Sequence, residues 1–279
     1  MLYHNIEKGL SLPSPRPRFG EAAVGRLVQY TNLYIDRFGS DDVTEFATAA
    51  LRGYVEFNER AGVARNDIPA ITEIDRLDSA GALAARGGVK IVRRQEVMDA
   101  SHGVELDFFL SRSSVREFSS TPVTSDEIEF AVIAAQKSPA VCNRQFGKVH
   151  VTTDRATIND ALAVQAGARG FGDSVPALAV ITTSARTYWN PEERMQPWTD
   201  GGMFAMSFVL GVHAQGMGSV CLNWSKLPAV DRTFRRRFSI ADDELIVMLV
   251  AFGHLLEEYR VAVSPRVPVA QTLKKLERR

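Results

Sequence analysis

Apolar positions repeat at helical spacing early in the chain. Phe46, Ala47, Ala50, Leu51, Tyr54 and Val55 fall on one stripe, and Asp41 or Asp42 is placed to cap its first turn. An earlier helix is predicted over 21–37, with Leu27, Tyr30, Leu33 and Tyr34 facing inward and Gly39 ending it. Over 65–102 the pattern weakens. Arg86-Gly87-Gly88 marks a break, and a short apolar piece, Val89-Lys90-Ile91-Val92, follows. Residues 1–103 therefore read as a helical N-terminal domain or extension.

From about Val104 the pattern mixes two periods. Thr124 followed by Glu127 is a capping box for a helix over 125–137, whose inner face is Ile128, Ala131, Val132 and Ala135. Further helices are expected over 157–167, 201–215 and 229–238. Short β-rich runs predict strands over 148–153, 177–183, 219–222 and 244–252. Helices and strands interleave without strict β-α-β regularity. That favours an α+β domain over 104–279, a sheet wrapped by helices, rather than a doubly wound sheet. The segment 255–279 carries Pro265 and Pro268 and few core residues, and reads as an extended arm that needs a surface to pack on.

Composition narrows the function. Basic and acidic residues balance at 33 each, so the chain has no general attraction to nucleic acid or anionic membrane, and any anion site must be local. No segment approaches the roughly 20 apolar residues of a membrane span. The run 203–212 reads as a buried helix. The first nine residues lack the apolar region of a secretory signal. With only two cysteines, Cys142 and Cys221, a disulfide framework is not expected and a cytoplasmic location fits. The five histidines are scattered without metal-ligand spacing, so no metal is expected. No Walker A, H-E-x-x-H, G-x-S-x-G or G-x-G-x-x-G occurs.

Two short motifs carry candidate chemistry. Arg112-Ser113-Ser114-Val115-Arg116 offers two guanidinium groups and two hydroxyls within five residues, a donor set suited to phosphate. Ser138-Pro139-Ala140-Val141-Cys142-Asn143-Arg144-Gln145 ends a helix and carries amides able to read a flat polar heterocycle. Read singly, each is better taken as an ordinary polar turn. Cys221 reads as a small buried hydrophobe; a redox thiol is the lesser alternative, with no activating partner evident. Trp189, Trp198 and Trp224 are pocket candidates, and 187–199 is a candidate pocket loop.

In order and spacing, these motifs resemble the nitroreductase superfamily. The matching elements are Arg112, Ser114, Arg116, Phe118, Pro122-Val123, Ser138-Pro139 and Asn143-x-Gln145. They continue with Asp200-Gly201-Gly202, Gly216-Met217-Gly218-Ser219, Val250-Ala251-Phe252-Gly253 and Ser264-Pro265-Arg266. The resemblance covers about 104–272. It implies FMN as cofactor and NAD(P)H as co-substrate, in a homodimer with shared flavin sites. Arg112, Ser113, Ser114 and Arg116 would hold the phosphate and its surroundings, and Arg266 would close that site. Pro139, Ala140, Val141 and Asn143 would come from the other subunit to line the ring, with Gln145 nearby. Cys221, Leu222, Asn223 and Trp224 would run beside the isoalloxazine, a backbone N–H near Asn223 facing flavin N5. The implied reaction is ping-pong hydride transfer from NAD(P)H through N5 to a nitroaromatic, quinone or sugar-pathway intermediate. The chain departs from the family pattern at Phe146-Gly147, where Pro-Trp is common, and at Cys142.

The opening His4-Asn5-Ile6-Glu7-Lys8-Gly9-Leu10 resembles that of nitroreductase-like proteins associated with bacterial polysaccharide biosynthesis. His4, Glu7 and Lys8 are its candidate substrate contacts, or else a locally paired helix start. The alternative function it implies is a catalytically silent partner of the same fold, structural or flavin-binding, in such a pathway.

Overall fold

The computed structural model describes residues 2–80, 88–187 and 190–278, the side chains of 78–80 and 187 excepted. The chain divides into two compact units. One is Met1–Gly103 with Cys142–Arg144; the other is Val104–Val141 with Gln145–Arg279.

The first unit is helical: α1 (Leu2–Leu10), α2 (Glu21–Phe38), α3 (Asp42–Arg60), α4 (Ile71–Ala80) and α5 (Arg94–Ala100). Its core gathers Tyr3 and Ile6 of α1, Val24, Leu27 and Val28 of α2, and Ala50, Leu51 and Tyr54 of α3. Asp41 caps α3, its carboxylate accepting from the Val43 and Thr44 N–H groups at 3.0 Å each. Gly39, at φ 80°, ends α2 as expected. The inward face of α2 differs from the expectation. Val24, Leu27, Val28 and Thr31 are buried, whereas Tyr30, Leu33 and Tyr34 are exposed. That helix carries two apolar stripes, and α1 and α3 cover only one. The expected apolar piece after the break is also exposed, with Ile91 93% accessible. Arg86 and Gly87 lie outside the described residues.

The second unit is α+β. Its elements are α6 (Leu106–Ser111), α7 (Ser125–Gln136), β1 (Gly147–Thr152), α8 (Arg155–Gln165), β2 (Ala177–Ser184), α9 (Gln196–His213), β3 (Met217–Asn223), α10 (Pro228–Arg237), β4 (Glu244–His254) and α11 (Val269–Thr272). The sheet runs β1-β2-β4-β3 with every pair antiparallel. Strand alternation sends Leu178 and Val180 of β2 to one face, against Ile158 and Leu162 of α8 and Phe234 of α10. Ala177, Ala179 and Ile181 go to the other, against Ala131 and Ala135 of α7 and Phe208 and Val212 of α9. The central strands are thus covered on both faces, which explains their unbroken apolar runs.

The alternation shifts once. Ile181 pairs with Met248 but Thr182 pairs with Ile246, so Val247 is an extra residue on β4. The bulge lets Ile246 and Leu249, three residues apart, share one face. Helix α9 begins five residues before its expected start at 201, with Pro197 in its first turn where a missing N–H costs nothing. Residues 196–199, expected in a loop, are therefore helical. Met203 and Met206, in the run read as buried, are partly exposed at 36% and 44%. No described helix is long and apolar enough to cross a membrane.

Candidate flavin site

The phosphate-like motif sits where α6 ends and the chain runs onto β3. Ser114 forms a parallel bridge with Ser219, and the Val115 N–H donates to the Ser219 carbonyl at 3.0 Å. Further along, the Ser119 N–H donates to the His254 carbonyl at 2.9 Å. Val115 and Phe118 are the buried anchors that leave Arg112, Ser113 and Ser114 facing outward. Gly218 makes this possible: a Cβ there would lie 2.8 Å from Val115 Cγ2 and 2.7 Å from Leu255 Cδ2. At Gly253 a Cβ would lie 2.2 Å from Pro176 Cγ. Gly218 and Gly253 are thus required by close approach, whereas Gly216, at φ 73°, serves the turn into β3.

Arg112, Ser113 and Ser114 line a cavity of about 430 Å³ whose opposite wall is Val263, Ser264, Pro265 and Arg266. Residues 150 positions apart in sequence meet there, as the motifs imply. Arg112 makes no hydrogen bond or ion pair among the described residues. Arg266 folds back to donate to the Ser264 carbonyl, and Ser264 is held at φ 45°. Arg116 does not line this cavity: it is exposed and reaches back to the Ser114 carbonyl at 3.4 Å.

β3 is an edge strand. Because the Ser219 carbonyl points off the open edge to Val115, the backbone groups of Cys221 and Asn223, two and four residues on, point the same way. The Asn223 carbonyl accepts from Gln165 Nε2 at 3.0 Å. Leu222 is buried in the core. Cys221 reaches solvent, yet the protein around it disfavours the thiolate and pushes the thiol pKa up, Arg112 pulling weakly the other way. That is the environment of an unreactive thiol. It also places the Arg112 charge next to this strand. The Trp224 indole is committed elsewhere: its Nε1–H donates to Asp231 at 2.7 Å and its ring packs on Phe234 at 4.6 Å.

The second motif forms a strained turn. Cys142, Asn143 and Gln145 have φ of 51°, 51° and 55°, a region that side chains other than glycine rarely occupy. Such outliers collect at functional sites. Pro139, Ala140 and Gln145 line a small cavity of about 70 Å³ with Asp200 and Phe204. Asp200, missed as a working residue in the sequence, is buried and holds the turn. Its carboxylate accepts from the Val141 N–H at 3.0 Å and from Gln196 at 2.7 Å. The spacing of Asp200-Gly201-Gly202 was visible, but its partner 59 residues away was not.

Among the N-terminal candidates, His4 Nδ1 lies 3.3 Å from Glu7, and Glu7 accepts from the Gly88 N–H at 3.0 Å. Lys8 is exposed. Tyr3, not singled out before, donates from its hydroxyl to the Asn143 carbonyl at 3.1 Å. Trp198 is exposed, and Trp189 lies outside the described residues. Among the described residues no group of His, Cys, Asp and Glu could hold a metal ion.

The antiparallel sheet between two helical layers is shared with solved nitroreductase structures. The family model described as Nitroreductase family matches residues 159–254. Solved structures share the fold at low identity. NADPH:FMN oxidoreductase from Vibrio harveyi, complexed with NAD+, is 16% identical with a TM-score of 0.52, over 62% of this chain and 77% of that one. Nitroreductase A from Vibrio parahaemolyticus is 17% identical with a TM-score of 0.52, over 62% and 76%. A nitroreductase-like family protein from Bacillus cereus is 18% identical with a TM-score of 0.52, over 61% and 95%. No curated protein matches the chain.

Proposed function

We propose that this protein is an FMN-dependent oxidoreductase that draws hydride from NADH or NADPH and delivers it to a small oxidised substrate. The observation that carries the proposal is the cavity in which Arg112, Ser113 and Ser114 meet Arg266, next to the open edge of β3. The donor set fits a phosphate monoester: two guanidinium groups give planar, charge-assisted bonds and two hydroxyls complete the oxygen shell. The name of the Vibrio harveyi neighbour supports the same cofactor and a nicotinamide donor.

FMN, when bound, would supply a ring that accepts and returns hydride at N5. The chain's own part is binding and orientation. Arg112, Ser113, Ser114 and Arg266 hold the phosphate end. The edge N–H groups of Cys221 and Asn223 are donors with no strand partner on that side, placed to orient a ring edge. Pro139, Ala140, Val141 and Asn143 wall the ring from a second subunit, so the working form is a homodimer. Exposed apolar residues on the C-terminal arm, Val263, Val267, Val269, Leu273 and Leu276, support that assembly. The 1–103 segment forms a helical domain of its own, with His4, Glu7 and Lys8 as its candidate substrate contacts.

Purification tests this reading. The proposal predicts a yellow protein that releases FMN on denaturation, and little flavin in Arg112→Ala/Arg266→Ala. A colourless wild-type protein that takes up no added FMN contradicts it.

A further inference from the structure

His213 is the last residue of α9, a position with no part in the matched motifs. Its Nε2 lies 2.9 Å from the Phe108 carbonyl and 3.0 Å from Ser111 Oγ. A carbonyl can only accept, which puts the proton on Nε2. The Ser111 hydroxyl in turn donates to the Phe108 carbonyl at 3.1 Å, closing a three-membered network. The imidazole also packs on the Phe108 ring, centroids 5.0 Å apart.

This network fastens the C-terminal turn of α6, whose next residue is Arg112. Little else holds that turn. Helix α6 has six residues, no side-chain N-cap and no buried residue, and Leu106, Phe109 and Leu110 are 68%, 50% and 67% exposed. A short exposed helix frays unless tertiary contacts pin it. His213 lines a small cavity with Ser111, Arg112 and Ser113, directly behind the basic cavity. The anion donors thus sit on a segment fixed downstream by the Val115–Ser219 bond and upstream by His213.

We propose that His213 is a positioning residue for the phosphate-binding arginine: by clamping the end of α6 through Phe108 and Ser111, it aims Arg112 and Ser113 into the cavity. The proposal rests on the FMN reading above. It predicts a phosphate-selective defect, because the clamp reaches the Arg112 turn and not the ring-side edge of β3.

The test compares FMN with riboflavin, which lacks the phosphate, by fluorescence titration of apoprotein. In His213→Ala, FMN binding should weaken about tenfold while riboflavin binding changes less than about twofold, as expected for losing a network of two hydrogen bonds at a preorganised charged site. His213→Gln, whose amide N–H can still donate to the Phe108 carbonyl, should recover most of the loss. Ser111→Ala removes one contact from the exposed side, and should give a smaller loss of the same selectivity if His213→Ala does not fold. Equal weakening of both ligands, or unchanged FMN binding in folded His213→Ala, overturns the role of His213. Wild-type protein that binds FMN no better than riboflavin overturns the phosphate site itself.

Discussion

Glu244 is the buried charge on which the sheet's outer corner depends, and its loss is measurable. The residue opens β4 and is 3% accessible. Lys148 Nζ donates to one carboxylate oxygen at 2.8 Å; His150 Nε2 lies 2.7 Å from the other, to which Thr182 Oγ1 donates at 2.6 Å. Burial alone would raise its pKa, but the bonds from Lys148, Thr182 and His150 outweigh it and hold the carboxyl near 2, against 4.5 ordinarily. At 1.36 kcal/mol per unit, that difference is worth about 3 kcal/mol at neutral pH. Lys148 is half exposed, so solvent screening makes this a ceiling.

A depressed carboxylate pKa stabilises the fold fully above the unfolded value. The contribution is lost as pH falls from about 4.5 towards 2. Glu244→Gln keeps the shape and removes the charge. Urea unfolding at pH 7 should show it about 2–3 kcal/mol less stable than wild type. The gap should narrow below pH 4.5 and largely close near pH 2. A deficit under about 0.5 kcal/mol at pH 7, or one that does not change between pH 7 and pH 3, would refute the assigned charge network.

Other consequences are more local. Gly253→Ala drives a methyl into Pro176 and should cost about 1–3 kcal/mol in urea unfolding. Gly218→Ala pushes Val115 away from β3 and should weaken FMN binding more than it lowers stability, read by paired titration and melting. Arg112→Ala/Arg266→Ala should weaken FMN binding about 100-fold or more with riboflavin binding little changed, the size expected for two charge-assisted contacts. Asp41→Ala removes the α3 cap and should cost about 1 kcal/mol in thermal unfolding, without touching flavin content.

What the sequence revealed follows the range of the forces involved. Caps and stripes are local, so Asp41, Gly39 and the Thr124–Glu127 box could be read directly, and the four strands fall within a few residues of expectation. The ordered motifs put Arg112 and Arg266 together, and the two line one cavity although nothing local joins them. The failures are tertiary choices. Helix α2 offers two apolar faces, and periodicity cannot say which one its neighbours cover. Nothing in the spacing shows that Trp224 bonds Asp231 and packs on Phe234. Asp200, Tyr3 and His213 act through partners 59, 140 and 105 residues distant, so no spacing rule marks them.

The central claim is hydride transfer through a bound flavin. The direct test is anaerobic addition of NADH or NADPH to the purified, flavin-loaded protein while its absorbance near ~450 nm is followed. The account predicts that the band bleaches with at least one nicotinamide and returns when a quinone or nitroaromatic is added. A flavin band that neither donor bleaches would leave a flavin-binding protein without the proposed reaction, and would contradict the account.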